Sequence, residues 1–324
     1  MIWDDEFVEK LDWKSALAAF LEPKVLSGVS MSTIEWYEVT FRLFHRFHRE
    51  RHLECTPLTC TSQHIQEFLG WLAQWERSIT VHTKFRALRA FFRWLQREGI
   101  RKDNPIEKVI PPRIDDSLPK TVTEEHFIAT MQTLNLSNFT ALRDAALFAL
   151  AFDSGARLSE LLNLKISDID MANRSAIVRG KGKKERIVYF GYTTGQLLMR
   201  YLSQRMLRFG MIPKDAPLFI RIDGFKISKA QVEKRWQIAQ LKAGLKPLPF
   251  HGLRHGFARM WLLKGGDSFS LQMLLGHSSA ETTKRYVTLW ASDLRKLHAE
   301  RSPVDSLPMP IWPRRSRVKR NGLY

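Results

Sequence analysis

Moving a phosphodiester bond without a metal ion takes donors for two nonbridging oxygens, a nucleophile, a base, and an acid for the departing oxygen. The second half of this 324-residue chain offers each of these. Arg157 stands in SGARLSELLNL, just after a glycine turn that ends one helical pattern and begins another. A guanidinium there is fixed rather than floppy. HGLRHGF places His251 and Arg254 three residues apart, so on a helix both point the same way and can contact one phosphate. His255 falls on a neighbouring face. LLGHSSAETTKRYV puts His277 after a glycine at a helix end, with Tyr286 nine residues later on a short following helix. Singly, such an arginine reads as a surface ion-pair residue and such a tyrosine as helix packing. The ordered set is what carries the chemistry.

These groups lie far apart in sequence, so the elements that position them matter. From Thr123 the pattern is mixed α and β. Thr123 caps a helix running to about Leu134, and a long apolar helix follows to about Ser154. SAIVRGKGKKERIVYF has two β-branched runs around a turn rich in Gly and Lys, the signature of a hairpin with a strongly cationic tip. In WLLKGGDSFSLQMLLGHSS, the residues Leu271, Leu274 and Leu275 are expected in the core.

Residues 12 to 99 carry four helical patterns separated by short polar breaks. The fourth, from about Thr80 to Glu98, has an apolar stripe of Phe85, Leu88, Phe92 and Leu95. Arg86, Arg89, Arg93 and Arg97 recur at steps of three and four and share one face, which could follow a phosphate backbone. From Ser32 to Arg51, Phe41, Phe44 and Phe47 interleave with Arg42, Arg46 and Arg49, the aromatics being core candidates. Four prolines between Asn104 and Lys120 forbid a continuous helix and read as an extended linker. The domain boundary is placed near residue 113.

The formal net charge of +18 points to a polyanionic partner, nucleic acid first, because binding releases its condensed counterions. No apolar run approaches the roughly 18 residues of a membrane span, and MIWDDEFVEK lacks the apolar core of an export signal. The positive charge is spread along the chain rather than gathered in a membrane-surface helix. Cys55 and Cys60 are the two cysteines, which argues against a disulfide framework and fits a reducing cytoplasm. His52 and His64 lie nearby, but C-x4-C lacks the tight spacing of structural zinc sites, and the segment reads as a loop between helices. No metal ligands and no cofactor are expected.

Arg157, the hairpin lysine Lys181, the H-x-x-R pair, the Gly-His turn and Tyr286 occur in the order and spacing of tyrosine recombinases, and the chain resembles a member of the phage integrase family. The resemblance implies a mainly α fold with a small β-hairpin or sheet (α+β), forming a C-shaped clamp on DNA. Its parts are a helical, SAM-like core-binding domain over 1–112 and a catalytic domain over 113–302. A basic tail over 303–324 has no recognised counterpart. The implied activity is site-specific cleavage and rejoining of double-stranded DNA by a homotetramer, through a 3′-phosphotyrosyl link to Tyr286 and a Holliday junction.

In the same reading Arg157 and Arg254 clamp the scissile phosphate, and His251 acts as base or phosphate donor with His277 as a second donor. Lys181 protonates the leaving 5′ oxygen, with Lys183 and Lys184 as rivals that otherwise meet backbone phosphates. Glu160, one turn after Arg157, looks like the residue that orients it. Residues 291–300 are the candidate helix for exchange between subunits. Gly256 departs from the family pattern, standing where Thr or Ser is common. The implied setting is the cytoplasm, on the nucleoid.

Overall fold

The computed structural model describes residues 11–53, 55–113, 120–180 and 184–276. Lys181, Lys183, His277, Tyr286, the 291–300 segment and the basic tail lie outside them. The chain divides into two compact units, Met1–Ser117 and Leu118–Tyr324.

The first unit has four helices among its described residues: α1 (Trp13–Leu26), α2 (Met31–Glu50), α3 (Ser62–Ala73) and α4 (Ser78–Arg97). Helix α4 buries Val81, Phe85, Leu88, Phe92 and Leu95 at steps of three and four, so one stripe faces inward along its whole length. Phe91 joins that stripe and meets Phe20 edge-on and Phe41 at 4.6 Å between ring centroids. Phe41, Phe44 and Phe47 of α2 are all buried in the same aromatic core. Each such ring contributes about 2–3 kcal/mol of transfer free energy.

The proline-rich segment differs from an extended linker at its start. Pro105–Lys108 forms a 3₁₀ turn, and Ile106 and Val109 are buried in the first unit's core. The side chain of Asn104 accepts a hydrogen bond from the Ile106 N–H, capping the turn. Proline excludes an α-helix here, yet the two apolar side chains still gain by leaving water, and a single tight turn satisfies both demands.

The second unit contains α5 (Glu124–Gln132), α6 (Phe139–Ser154), α7 (Leu158–Leu162), α8 (Tyr192–Phe209), α9 (Lys229–Lys242), α10 (His251–Leu263) and α11 (Ser268–Leu275). Helix α6 is buried on almost every side, from Leu142 to Ala151, which explains its lack of a polar face. Helices α8, α9 and α10 pack around it. The strands β1 (Ile169–Asp170), β2 (Ser175–Arg179) and β3 (Glu185–Tyr189) form an antiparallel sheet in that order. Ala176, Val178 and Val188 face the core, while Ile177 and Ile187 face outward, the alternation of a sheet covered on one side. The sequence signals the β2–β3 hairpin; β1 is too short for a periodic signal. Among the described residues no helix is long and apolar enough to cross a membrane.

Candidate active site

The site is built at the junction of α6 and α7, where the chain reverses. Gly155 ends α6 in the left-handed region, with φ of 62°. A side chain there would collide with Phe257 and Leu275, so the turn admits only glycine on both backbone and packing grounds. Two residues later Arg157 caps α7. Its backbone N–H donates to Glu160 Oε2 at 2.8 Å, and its Nη1 donates to Oε1 at 3.0 Å. Glu160, which accepts both bonds, is almost wholly buried.

Glu160 has a second cation that sequence reasoning overlooks. Arg186 of β3 donates Nη1 to Oε1 at 2.7 Å and Nη2 to Oε2 at 2.9 Å, a two-pronged pairing, and its Nε donates to the Leu274 carbonyl at 3.0 Å. One side chain thus joins α7, the sheet and the end of α11. Burial pushes the Glu160 carboxyl up, but hydrogen bonds from Arg186 and Arg157 outweigh it and hold the group down to about 2. The available signal was phase: Arg186 shares the inward-facing positions of β3 with Val188, where a charge requires a partner.

Helix α10 begins at His251, so His251 and Arg254 project from its first turn. Arg254 is buried and bridges two backbone carbonyls, with Nη1 donating to Gly155 at 2.7 Å and Nη2 to Leu275 at 2.8 Å. The carbonyls that receive it are those of two helix ends, α6 and α11, so the guanidinium sits where unpaired acceptors concentrate. Gly252 and Gly256 let α10 lie directly against the incoming chain: the Gly252 carbonyl accepts from the Val122 N–H at 3.1 Å, and a side chain at Gly256 would strike the Val122 carbonyl and Phe152. The departure at Gly256 thus has a steric cause in this chain.

Arg157, His251 and Arg254 line one cleft, together with Lys229 and Glu233 of α9. Partial desolvation, then the charges of Arg254, Arg157 and Lys229, push the His251 ring below its usual pKa of 6.5, keeping it neutral at neutral pH. Lys229 pairs loosely with Glu233 at 3.8 Å. Three positive side chains around a neutral imidazole make a receptor for a tetrahedral anion with a proton acceptor beside it.

Other expected residues fall as follows. Lys184 is exposed beside the hairpin turn, its carbonyl accepting from the Gly180 N–H. Leu271 and Leu275 are buried, whereas Leu274 is only half-buried, a correction to its place in the core: its carbonyl, not its side chain, does the structural work. Arg86, Arg93 and Arg97 are exposed on α4, and Arg89 lies half-buried across the Phe85 ring.

The phage integrase family model matches residues 120–292, and the model of the phage integrase N-terminal SAM-like domain matches residues 24–99. The chain belongs to the phage integrase family of tyrosine recombinases. It is 32% identical over 286 residues to "Tyrosine recombinase XerC" of Thermodesulfovibrio yellowstonii, covering 87% of this chain and 93% of that one. It is 38% identical over 224 residues to "Tyrosine recombinase XerD" of Xanthomonas axonopodis pv. citri, covering 67% and 73%. The XerH site-specific recombinase, solved bound to palindromic difH substrate in a post-cleavage complex, shares the fold with a TM-score of 0.69 at 22% identity, covering 86% of this chain and 81% of that one. Family membership implies DNA strand cleavage and rejoining.

Proposed function

We propose that this recombinase exchanges strands between specific double-stranded DNA sites through a 3′-phosphotyrosyl intermediate on Tyr286, as a homotetramer, by way of a Holliday junction and without a metal ion. The observation that carries the reading is the cleft in which Arg157, His251 and Arg254 converge, with Arg254 pinned by two carbonyls. In this reading Arg157 and Arg254 bind the nonbridging oxygens and stabilise the charge that builds as phosphorus becomes five-coordinate. The Tyr286 oxygen attacks phosphorus while neutral His251 accepts its proton, and the bond to the 5′ oxygen breaks.

Lys181 supplies the proton to that leaving oxygen, with Lys183 and Lys184 as rivals, and His277 adds a phosphate donor. Because the phosphate ester is conserved, attack by a 5′ hydroxyl of the partner strand reverses the step without ATP. Glu160 positions Arg157. Arg86, Arg89, Arg93 and Arg97 contact backbone phosphates, and residues 291–300 link subunits. The biological role is integration, transposition or resolution on cytoplasmic, nucleoid-associated DNA.

A nicked suicide substrate carrying the DNA that flanks the gene tests this. A denaturation-resistant protein–DNA adduct, formed in chelator and lost in Tyr286→Phe, is expected; absence of an adduct from the unaltered chain refutes it. Since His251 titrates below 6.5, adduct formation should be level through neutral pH and decline only on the acid side of that value. A decline already complete at higher pH would remove His251 from the role of base.

A further inference from the structure

We propose that His48, Cys55 and His64, with Cys60 beside them, form a binding site for a thiophilic divalent metal ion, zinc first, that staples the α2–α3 connection of the amino-terminal unit. The C-x4-C spacing argues against such a site only when neighbours are counted along the chain. Folding brings in His48 from the last turn of α2 and His64 from the first turn of α3, while His52 is not part of the group. One ligand atom from each of His48, Cys55 and His64 lies within 4.8 Å of the others. Tetrahedral zinc with bonds of about 2.0–2.3 Å sets its ligands about 3.3–3.8 Å apart, so closure takes a shift of about 1 Å.

His48 supplies an independent observation. It is 4% exposed, and its Nδ1 lies 2.8 Å from the Phe44 carbonyl, which fixes the proton on Nδ1. Its Nε2 is buried and has no hydrogen-bond partner among the described residues. A buried acceptor left without a partner is destabilising, and a metal ion is one group that would satisfy it. The Nδ1 bond to a backbone carbonyl is also the arrangement by which metal-binding histidines are held.

Cys55 is held in place from behind, its carbonyl accepting from the Trp13 Nε1–H at 2.7 Å. The neighbouring Cys60 is buried, and its thiol donates to the Thr61 carbonyl at 3.8 Å. A Cys55 thiolate and two neutral imidazoles would offset part of the charge of a divalent ion and leave a fourth position for water. A surface cleft bordered by Trp13, His45 and Arg49 reaches His48 and Cys55 and gives the ion a way in. His64 must give something up: its Nδ1 accepts the Thr61 N–H at 3.2 Å, and coordination through Nε2 moves a proton to Nδ1. Thr61 is exposed, so water replaces that bond.

The test is titration of the reduced, chelator-treated full-length chain with Co²⁺. A single equivalent should bind with thiolate-to-cobalt charge-transfer absorption, and Zn²⁺ should displace it. Cys55→Ser and His48→Ala should each weaken binding at least about tenfold, the lower end of what even outer-shell changes cost. If His48→Ala unfolds the unit, as judged by its thermal melt, His64→Ala at the exposed helix end gives the same readout. No binding, binding without the charge-transfer band, or equal affinity in the variants overturns the proposal. The same titration is independent of strand cleavage, so its outcome stands apart from the assignment of Tyr286.

Discussion

Arginine is used in two different ways in the two units. On α4, Arg86, Arg93 and Arg97 stand exposed, and among the described residues the salt bridge they make is Arg97 to its neighbour Glu98. At the candidate active site, Arg157, Arg186 and Arg254 are tied to a buried carboxylate and three backbone carbonyls. A backbone phosphate can be met by any of several long side chains, and loss of one contact is shared among the rest. A reacting phosphate needs its donors aimed before it arrives, because reorganisation at the moment of reaction raises the barrier. Rigidity is therefore concentrated where geometry decides the rate.

The largest effect separating the two uses should come from Arg254→Lys. Lysine keeps the charge but cannot span the Gly155 and Leu275 carbonyls, and adduct formation should fall about 10²–10³-fold with little change in DNA affinity. A fall of less than tenfold would mean that charge alone suffices there. Next, Arg186→Met should lower unfolding free energy by about 2–3 kcal/mol in a denaturant melt. That is less than the usual loss on breaking a buried pair, because Arg157 still serves Glu160.

A pH titration of stability refines the same point. Glu160 has its carboxyl lowered from 4.5 to about 2, so its contribution is fully present above about 4.5 and is lost as pH falls toward 2. Glu160→Gln should flatten this part of the stability curve; an unchanged curve would show that other carboxylates govern it. The smallest effect is expected from Arg93→Ala on α4: DNA affinity a few-fold lower and a salt slope shallower by about 1, at unchanged cleavage rate once bound. A cleavage defect there as large as that of Arg254→Lys would erase the contrast.

The helices were the most legible part of this chain, because their signal is local. The stripe Phe85, Leu88, Phe92 and Leu95 gives α4 to within a few residues of its observed ends, and Gly155 and Gly276 mark two helix ends in the left-handed region. The hairpin was legible for the same reason. Arg186 was not, since its partner Glu160 lies 26 residues away and its second partner is a carbonyl 88 residues away. Ile106 and Val109 were hidden by the prolines around them, which report the absence of an α-helix but not the burial of what remains.

The order and identity of the chemical groups were set by the sequence alone: an arginine after a glycine turn, a histidine and arginine one helical turn apart, a helix striped with arginine. Tertiary structure decided which groups act together. It gave Arg254 its two carbonyls, gave Glu160 two guanidinium groups, and gathered His48, Cys55 and His64 around one point. The reason is that side-chain periodicity is written in steps of three and four residues, whereas a buried charge, or an acceptor without a partner, is defined only by chain segments that meet after folding.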